Sequence, residues 1–150
     1  MQFTRIEPAA AGRQLTMTKR QIVENIYRDF MAGNAAAILE AFDDRIEFRL
    51  AEGHPYRGDA EPWIGKDAVL RKFFAVAGPE WADWSIAVLE LLETADAVVV
   101  EGRYTGTYRP NGNAMDVQVC HVWRFRADKV ASFHQYLDTA RLQRVMGRGD

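Results

Sequence analysis

Cysteine is nearly absent. Cys120 is the only one in 150 residues, so no disulfide can form within the chain. No apolar run approaches the ~18 residues that a bilayer-spanning helix requires. No secretory leader is legible either, and with the lone thiol this points to a reduced, cytoplasmic protein. Nineteen basic residues stand against 21 acidic ones, a net charge of −2, with no run of like sign. That balance leaves no electrostatic footprint for nucleic acid or for an anionic membrane surface. Three scattered histidines and no close carboxylate pair give no metal-ligand spacing. Neither a glycine-rich phosphate loop nor a nucleophile elbow occurs, and no cofactor is implied.

What is present is one domain's worth of chain, 48% hydrophobic, long enough for a single core. Residues 1–17 show no period and carry Pro8, Gly12 and an alanine triplet, so they read as an irregular, disordered extension to a domain spanning 18–146. Thr18 and Gln21 form a capping-box pattern at a helix start. Ile22, Val23, Ile26, Tyr27 and Phe30 follow at helical spacing. Gly33-Asn34 ends that helix, and a shorter one covers "AAAILEAF". From Arg45 the period changes to two, with Ile46, Phe48 and Leu50 alternating with charged residues. After the loop "AEGHPYRGDAEPWIG", the segment "KDAVLRKFFAVAG" is helical. Strands are then expected at 84–92, 98–108, 114–126 and 130–137, and a short helix capped by Asp138 closes the chain. Helices followed by a long meander mean an α+β fold, in which three helices on one face of a curved antiparallel sheet enclose a cone-shaped pocket.

Strand register divides the polar residues between the two faces. A two-residue Asn111-Gly112 turn pairs Pro110 with Asn113. It sets His121 opposite Gly102, which leaves space beside the imidazole. A second hairpin near Asp128 sets His121 opposite Gln135 and Trp123 opposite Phe133. One face then collects Tyr104, Val119, His121, Trp123, Phe133, Gln135 and Leu137. The other collects Glu101, Arg103, Arg124, Arg126, His134 and Tyr136. The first set is largely apolar and is the inner face.

The order of elements, with "AGNAAAILEAFDDRIEF", "EPWIGKDAVLRKFF" and "HVWRFRADKVASFHQYLDT", resembles the nuclear-transport-factor-2-like (NTF2-like, cystatin-like) superfamily over residues 18–140, in particular its ketosteroid-isomerase and SnoaL-like polyketide-cyclase branch. The resemblance implies a cone fold, a homodimer formed through the outer sheet face, and a small hydrophobic ligand. Where the isomerases carry a general-base aspartate on the first strand, this chain has Phe48. Their oxyanion-hole tyrosine falls beside Ile26, next to Tyr27, and their supporting tyrosine on the third helix becomes Phe74. His121 matches their protonated aspartate. The proton-abstracting aspartate of the cyclases matches Gln135. Glu101 and Arg103 resemble part of the Asp-Arg-Asp set of limonene epoxide hydrolases, but the register puts them on the outer face.

Tyr27, Phe48, Trp63, Phe74, Tyr104, Val119, His121, Trp123 and Gln135 are thus the candidate pocket residues. His121 is either a polar anchor for a ligand or an acid/base. Gln135 either sets the His121 tautomer or hydrogen-bonds a ligand. In the 51–65 loop, His54 with Asp59 or Glu61 is an alternative dyad. Three functions remain open: binding of a small, largely apolar ligand; proton transfer next to a carbonyl, of isomerase or cyclase type; and a non-catalytic dimerisation module.

Overall fold

A computed structural model describes residues 16–58 and 62–149. Most of residues 1–17, expected from the sequence to be a disordered extension, lies outside the described residues, as do Asp59 and Glu61. Helix α1 (Lys19–Met31) begins at the capping box: Gln21 N donates to Thr18 Oγ1 at 3.0 Å, and Thr18 N donates to Gln21 Oε1 at 2.9 Å. Its buried stripe is Ile22, Val23, Ile26 and Tyr27. Helix α2 (Ala35–Glu40) is capped by Asn34, whose Oδ1 accepts from Ala37 N at 3.1 Å. Strand β1 (Phe42–Arg49) begins earlier than the alternation in the sequence suggests, and β2 (Trp63–Ile64) is a short strand paired with it. Helix α3 (Lys66–Val69) runs into a π-helical turn, Leu70–Phe74, and resumes as α4 (Ala75–Ala77). The meander is β3 (Trp81–Glu93), β4 (Ala97–Tyr108), β5 (Asn113–Arg126) and β6 (Lys129–Leu137), and α5 (Thr139–Val145) closes on its Asp138 cap. Among the described residues no helix is long and apolar enough to cross a membrane.

The six strands lie in the order β2-β1-β6-β5-β4-β3. The sheet is mixed rather than antiparallel throughout, because β1 pairs with β6 in parallel, Phe48 against Phe133. The meander leaves the far edge of the sheet and returns strand by strand, so its last member arrives beside β1 running in the same sense. The sheet is open, and α1 packs across β3 and β4 to cover one face.

Two details of register differ from the sequence expectation. The β4–β5 connection is four residues, Arg109–Gly112, with Tyr108 opposite Asn113. Asn111 is used as a side chain there: its Oδ1 accepts from Asn113 N at 2.9 Å, and its Nδ2 donates to Val145 O at 2.9 Å. The pairing therefore shifts by two positions, so His121 faces Val100, and Gly102 faces Val119. A shift of two keeps every residue on its face, and the inner set is buried as expected apart from the half-buried Leu137. The second hairpin keeps His121 opposite Gln135 and Trp123 opposite Phe133.

Gly102 leaves no space beside His121. A Cβ there would lie 2.7 Å from Ala87 O, so the glycine lets β3 approach β4 at the bulge near Val88. Gly102→Ala is expected to cost about 1–3 kcal/mol through this overlap with backbone. Urea unfolding checks it, and an unchanged midpoint would mean that the two strands part freely.

Candidate active site

The interior holds a chain of four polar side chains in an otherwise aromatic surround. Tyr27 on α1, Tyr104 on β4, and His121 and Trp123 on β5 are each at most 6% exposed. Trp123 Nε1–H donates to Tyr27 Oη at 2.9 Å. Tyr27 Oη lies 2.8 Å from His121 Nδ1, and Tyr104 Oη lies 3.0 Å from His121 Nε2. The donor inventory fixes the two ends of this chain. An indole N–H only donates, so the Tyr27 oxygen accepts from Trp123, and the Gln135 amide likewise donates to the Tyr104 oxygen. A neutral imidazole has one N–H and one lone pair, so one tyrosine donates to the ring and the other accepts from it, according to the tautomer. One phenol proton is left unspent: that of Tyr104 when the imidazole proton is on Nε2, that of Tyr27 when it is on Nδ1.

Burial keeps the whole set neutral. Desolvation pushes His121 down to about 3. Desolvation also raises Tyr27 far above the ordinary phenol range, with the Trp123 hydrogen bond acting the other way. Tyr104 is raised by the same cause, opposed by the bond from Gln135. With both ring nitrogens bonded to tyrosines, His121 presents no lone pair to a substrate.

The chain borders a cavity of about 40 Å³. Of the sequence candidates, Tyr27, Phe48, Phe74, Tyr104, His121 and Trp123 line it. Trp63 sits one layer back, stacked on Phe48 at 6.1 Å with an interplanar angle of 1°. Val119 is buried between Gly102 and Leu137, off the cavity. Gln135 is 1% exposed and also off the lining, and its Oε1 has no hydrogen-bond partner. Ile26, Phe30, Ile38, Phe42, Phe73 and Phe133 also line it and were not among the candidates. Phe30 follows Ile26 at helical spacing and was legible. Phe73 was not, because the π-helical turn widens the helix so that the successive residues Phe73 and Phe74 both reach the cavity. Phe30 and Phe74 are the two lining residues that are only partly buried, the walls nearest to solvent.

His54 in the 51–65 loop is also interior, at 6% exposure, where desolvation pushes it down to about 3. Its Nδ1 accepts from Tyr56 N at 3.1 Å. Its proposed acidic partners, Asp59 and Glu61, are outside the described residues. His134 is on the outer face, stacked on Tyr136. Burial and Glu101 raise the Cys120 thiol, which holds it protonated.

Two histidines held neutral make stability depend on pH. In the unfolded chain each binds a proton below about pH 6.5; in the folded chain each does so only near 3. The unfolded state therefore binds more protons across that window, and stability falls as pH falls, by about 1.4 kcal/mol per unit for each histidine. Urea unfolding between pH 7.5 and 5 measures the slope. His121→Gln is expected to halve it, and an undiminished slope would mean that the imidazole is not held neutral.

With this geometry in hand, comparison with known proteins gives a consistent result. No curated protein matches the chain. An NTF2-like protein from Burkholderia thailandensis E264 is 31% identical, with a TM-score of 0.79 over 87% of this chain and 98% of that one. TerC, co-crystallised with polyporic acid, is 20% identical with a TM-score of 0.76, covering 86% and 98%. A protein with a ketosteroid-isomerase-like fold from Catenulispora acidiphila DSM 44928, in complex with trimethylamine, is 15% identical with a TM-score of 0.72, covering 87% and 95%. The family model described as SnoaL-like domain matches residues 23–133, and the chain belongs to that family.

Proposed function

We propose that this protein binds a small, flat, largely apolar molecule carrying a carbonyl-type oxygen, in the aromatic interior, with the Tyr104 hydroxyl as its hydrogen-bond donor. The observation that carries the reading is the chain from Trp123 through Tyr27 and His121 to Tyr104, in which two phenols share one imidazole N–H, so one phenol O–H at the cavity is left unspent; with the imidazole proton on Nε2 it is that of Tyr104. His121 is a positioning residue in this reading, because both of its nitrogens are occupied. Binding is favoured over proton abstraction because Phe48 and Gln135, at the positions where the isomerase and cyclase bases are expected, offer no ionisable group. Two relatives in fold hold small molecules, polyporic acid in one and trimethylamine in the other. The volume at rest, about 40 Å³, corresponds to roughly three water-sized probes. A larger ligand therefore enters by rotation of Phe30 and Phe74, the walls nearest to solvent.

Acetophenone and ethylbenzene test this directly, since they differ little in shape and only the ketone accepts a hydrogen bond. Wild type is expected to bind acetophenone about tenfold more tightly, the worth of one hydrogen bond of about 1.4 kcal/mol. Tyr104→Phe is expected to erase the difference. Tryptophan fluorescence titration reads both, and equal affinities in the wild type would overturn the assignment.

A second observation favours self-association. Leu89 and Leu92 on β3 are 68% and 48% exposed, and Tyr136 on β6 is 50% exposed. Leu89, Cys120 and Tyr136 line one trough on the sheet together with Glu101 and Arg103, so apolar surface is bordered by both signs of charge. We infer a homodimer through this outer face. Sedimentation is expected to give a dimer for wild type and a monomer for Leu89→Asp. A wild-type monomer at micromolar concentration would exclude the interface.

A further inference from the structure

Strand β3 carries a local defect whose effect is to aim one side chain. Ala82 pairs with Thr107 and Ser85 with Thr105, so Asp83 and Trp84 together oppose Gly106. Two residues against one is a β-bulge, a device that redirects side chains next to binding sites. Asp83 takes φ of 54°, the left-handed region that non-glycine residues seldom enter. Gly106 is what the bulge needs opposite it, since a Cβ there would lie 3.2 Å from Trp84 Cα and 3.3 Å from Ala82 O. Three uncommon features at adjacent positions therefore serve the placement of Trp84.

The Trp84 ring is wedged edge-on against Phe30 at 5.0 Å, Tyr104 at 5.5 Å and Phe73 at 5.8 Å. Its Nε1 is buried and has no hydrogen-bond partner. Two other interior indoles are paired: Trp81 Nε1–H donates to Tyr56 Oη at 3.0 Å, and Trp123 Nε1–H to Tyr27. A buried indole N–H left without a partner calls for an acceptor. Trp84 lines a second, smaller cavity of about 10 Å³, with His54, Tyr104 and Leu142 among its other walls. That volume matches roughly one water. His54 takes the Tyr56 N–H on Nδ1, so in its neutral form it carries its proton on Nε2 and adds a second donor to the same wall. Tyr104 also lines the 40 Å³ cavity and stands between the two.

We propose that Trp84 is a specificity-determining donor, and that the chamber it lines takes one hydrogen-bond-accepting oxygen, supplied either by an ordered water or by the far end of a ligand reaching past Tyr104. The ligand source rests on the binding reading above, whereas the water source does not.

The two sources separate in proton–nitrogen spectra of protein labelled at its tryptophan indoles, with Trp84 assigned from Trp84→Phe or, should that variant not fold, by through-bond correlation. The free protein is expected to give a cross-peak between the Trp84 indole proton and a long-lived water. Adding 1,4-diacetylbenzene, which carries carbonyls at both ends, is expected to abolish that cross-peak and shift the indole resonance. Acetophenone, with one carbonyl, should leave the water in place. Trp84→Phe is then expected to weaken diacetylbenzene about tenfold and acetophenone little. If neither ketone binds, the pocket reading fails, and the water cross-peak alone upholds or overturns the role of Trp84. A Trp84 indole with no water cross-peak and no response to bound diacetylbenzene would overturn the proposal.

Discussion

The buried hydrogen bonds from Trp123 through Tyr27 and His121 to Tyr104 constrain the rest of the molecule. They join α1 to β4 and β5 across the interior, at separations of 94 and 17 residues for the two bonds to the imidazole. Each group in the chain is buried, so leaving one unpaired would cost about 1–3 kcal/mol. The helix must therefore lie over the sheet at the one height and rotation where the Tyr27 hydroxyl meets both the indole and the imidazole. Apolar packing alone tolerates small slides, because it is not directional. A chain of short bonds tolerates far less, so the polar network fixes the geometry of an interior that the aromatic residues fill.

Sheet register is what delivers these groups to one place. His121 and Trp123 are two apart on β5, on one face, opposite Gln135 and Phe133 on β6. Parallel pairing of β1 then brings Phe48 against Phe133, with ring centroids 4.5 Å apart, which closes the wall beside the imidazole. The π-helical turn completes the enclosure by turning two consecutive phenylalanines inward. Removing polar competition from around His121 is also what depresses it to about 3, so the packing of β1, β6 and the third helical segment determines the protonation state of the site.

How much of this was legible follows from the range of each interaction. The capping box at Thr18, the helical spacing of Ile22 to Tyr27 and the alternation along β5 and β6 are local patterns, and the elements follow them. The face of His121 was readable because the period of a strand is two, so even a two-position error in the β4–β5 pairing left it inside. That error arose at Asn111, whose side chain ties the turn to Val145 rather than adopting the left-handed conformation expected of an Asn-Gly turn. Three features had no local signal: the parallel β1–β6 pairing, the π-helical turn, and the bulge at Asp83 and Trp84. Each depends on contacts between distant segments. The bonding of both His121 nitrogens to tyrosines belongs to the same class, since it needs α1 and β4 placed against β5.

A network built only to hold a fold closes on itself, each donor ending on a backbone carbonyl or another side chain. Among the described residues this one stays open at three points. Gln135 Oε1 is an acceptor without a donor; the Trp84 indole N–H and, with the imidazole proton on Nε2, the Tyr104 hydroxyl are donors without a protein acceptor. Both donor residues border interior space, Tyr104 on both cavities and Trp84 on the smaller. The indole is held in place by a strained Asp83 and a glycine that no other residue could replace without moving backbone. Strain of that kind works against folding unless it serves something else. Donors without acceptors on residues that border enclosed space, one of them set by strained backbone, are complementary to an oxygen atom brought by a ligand or a water.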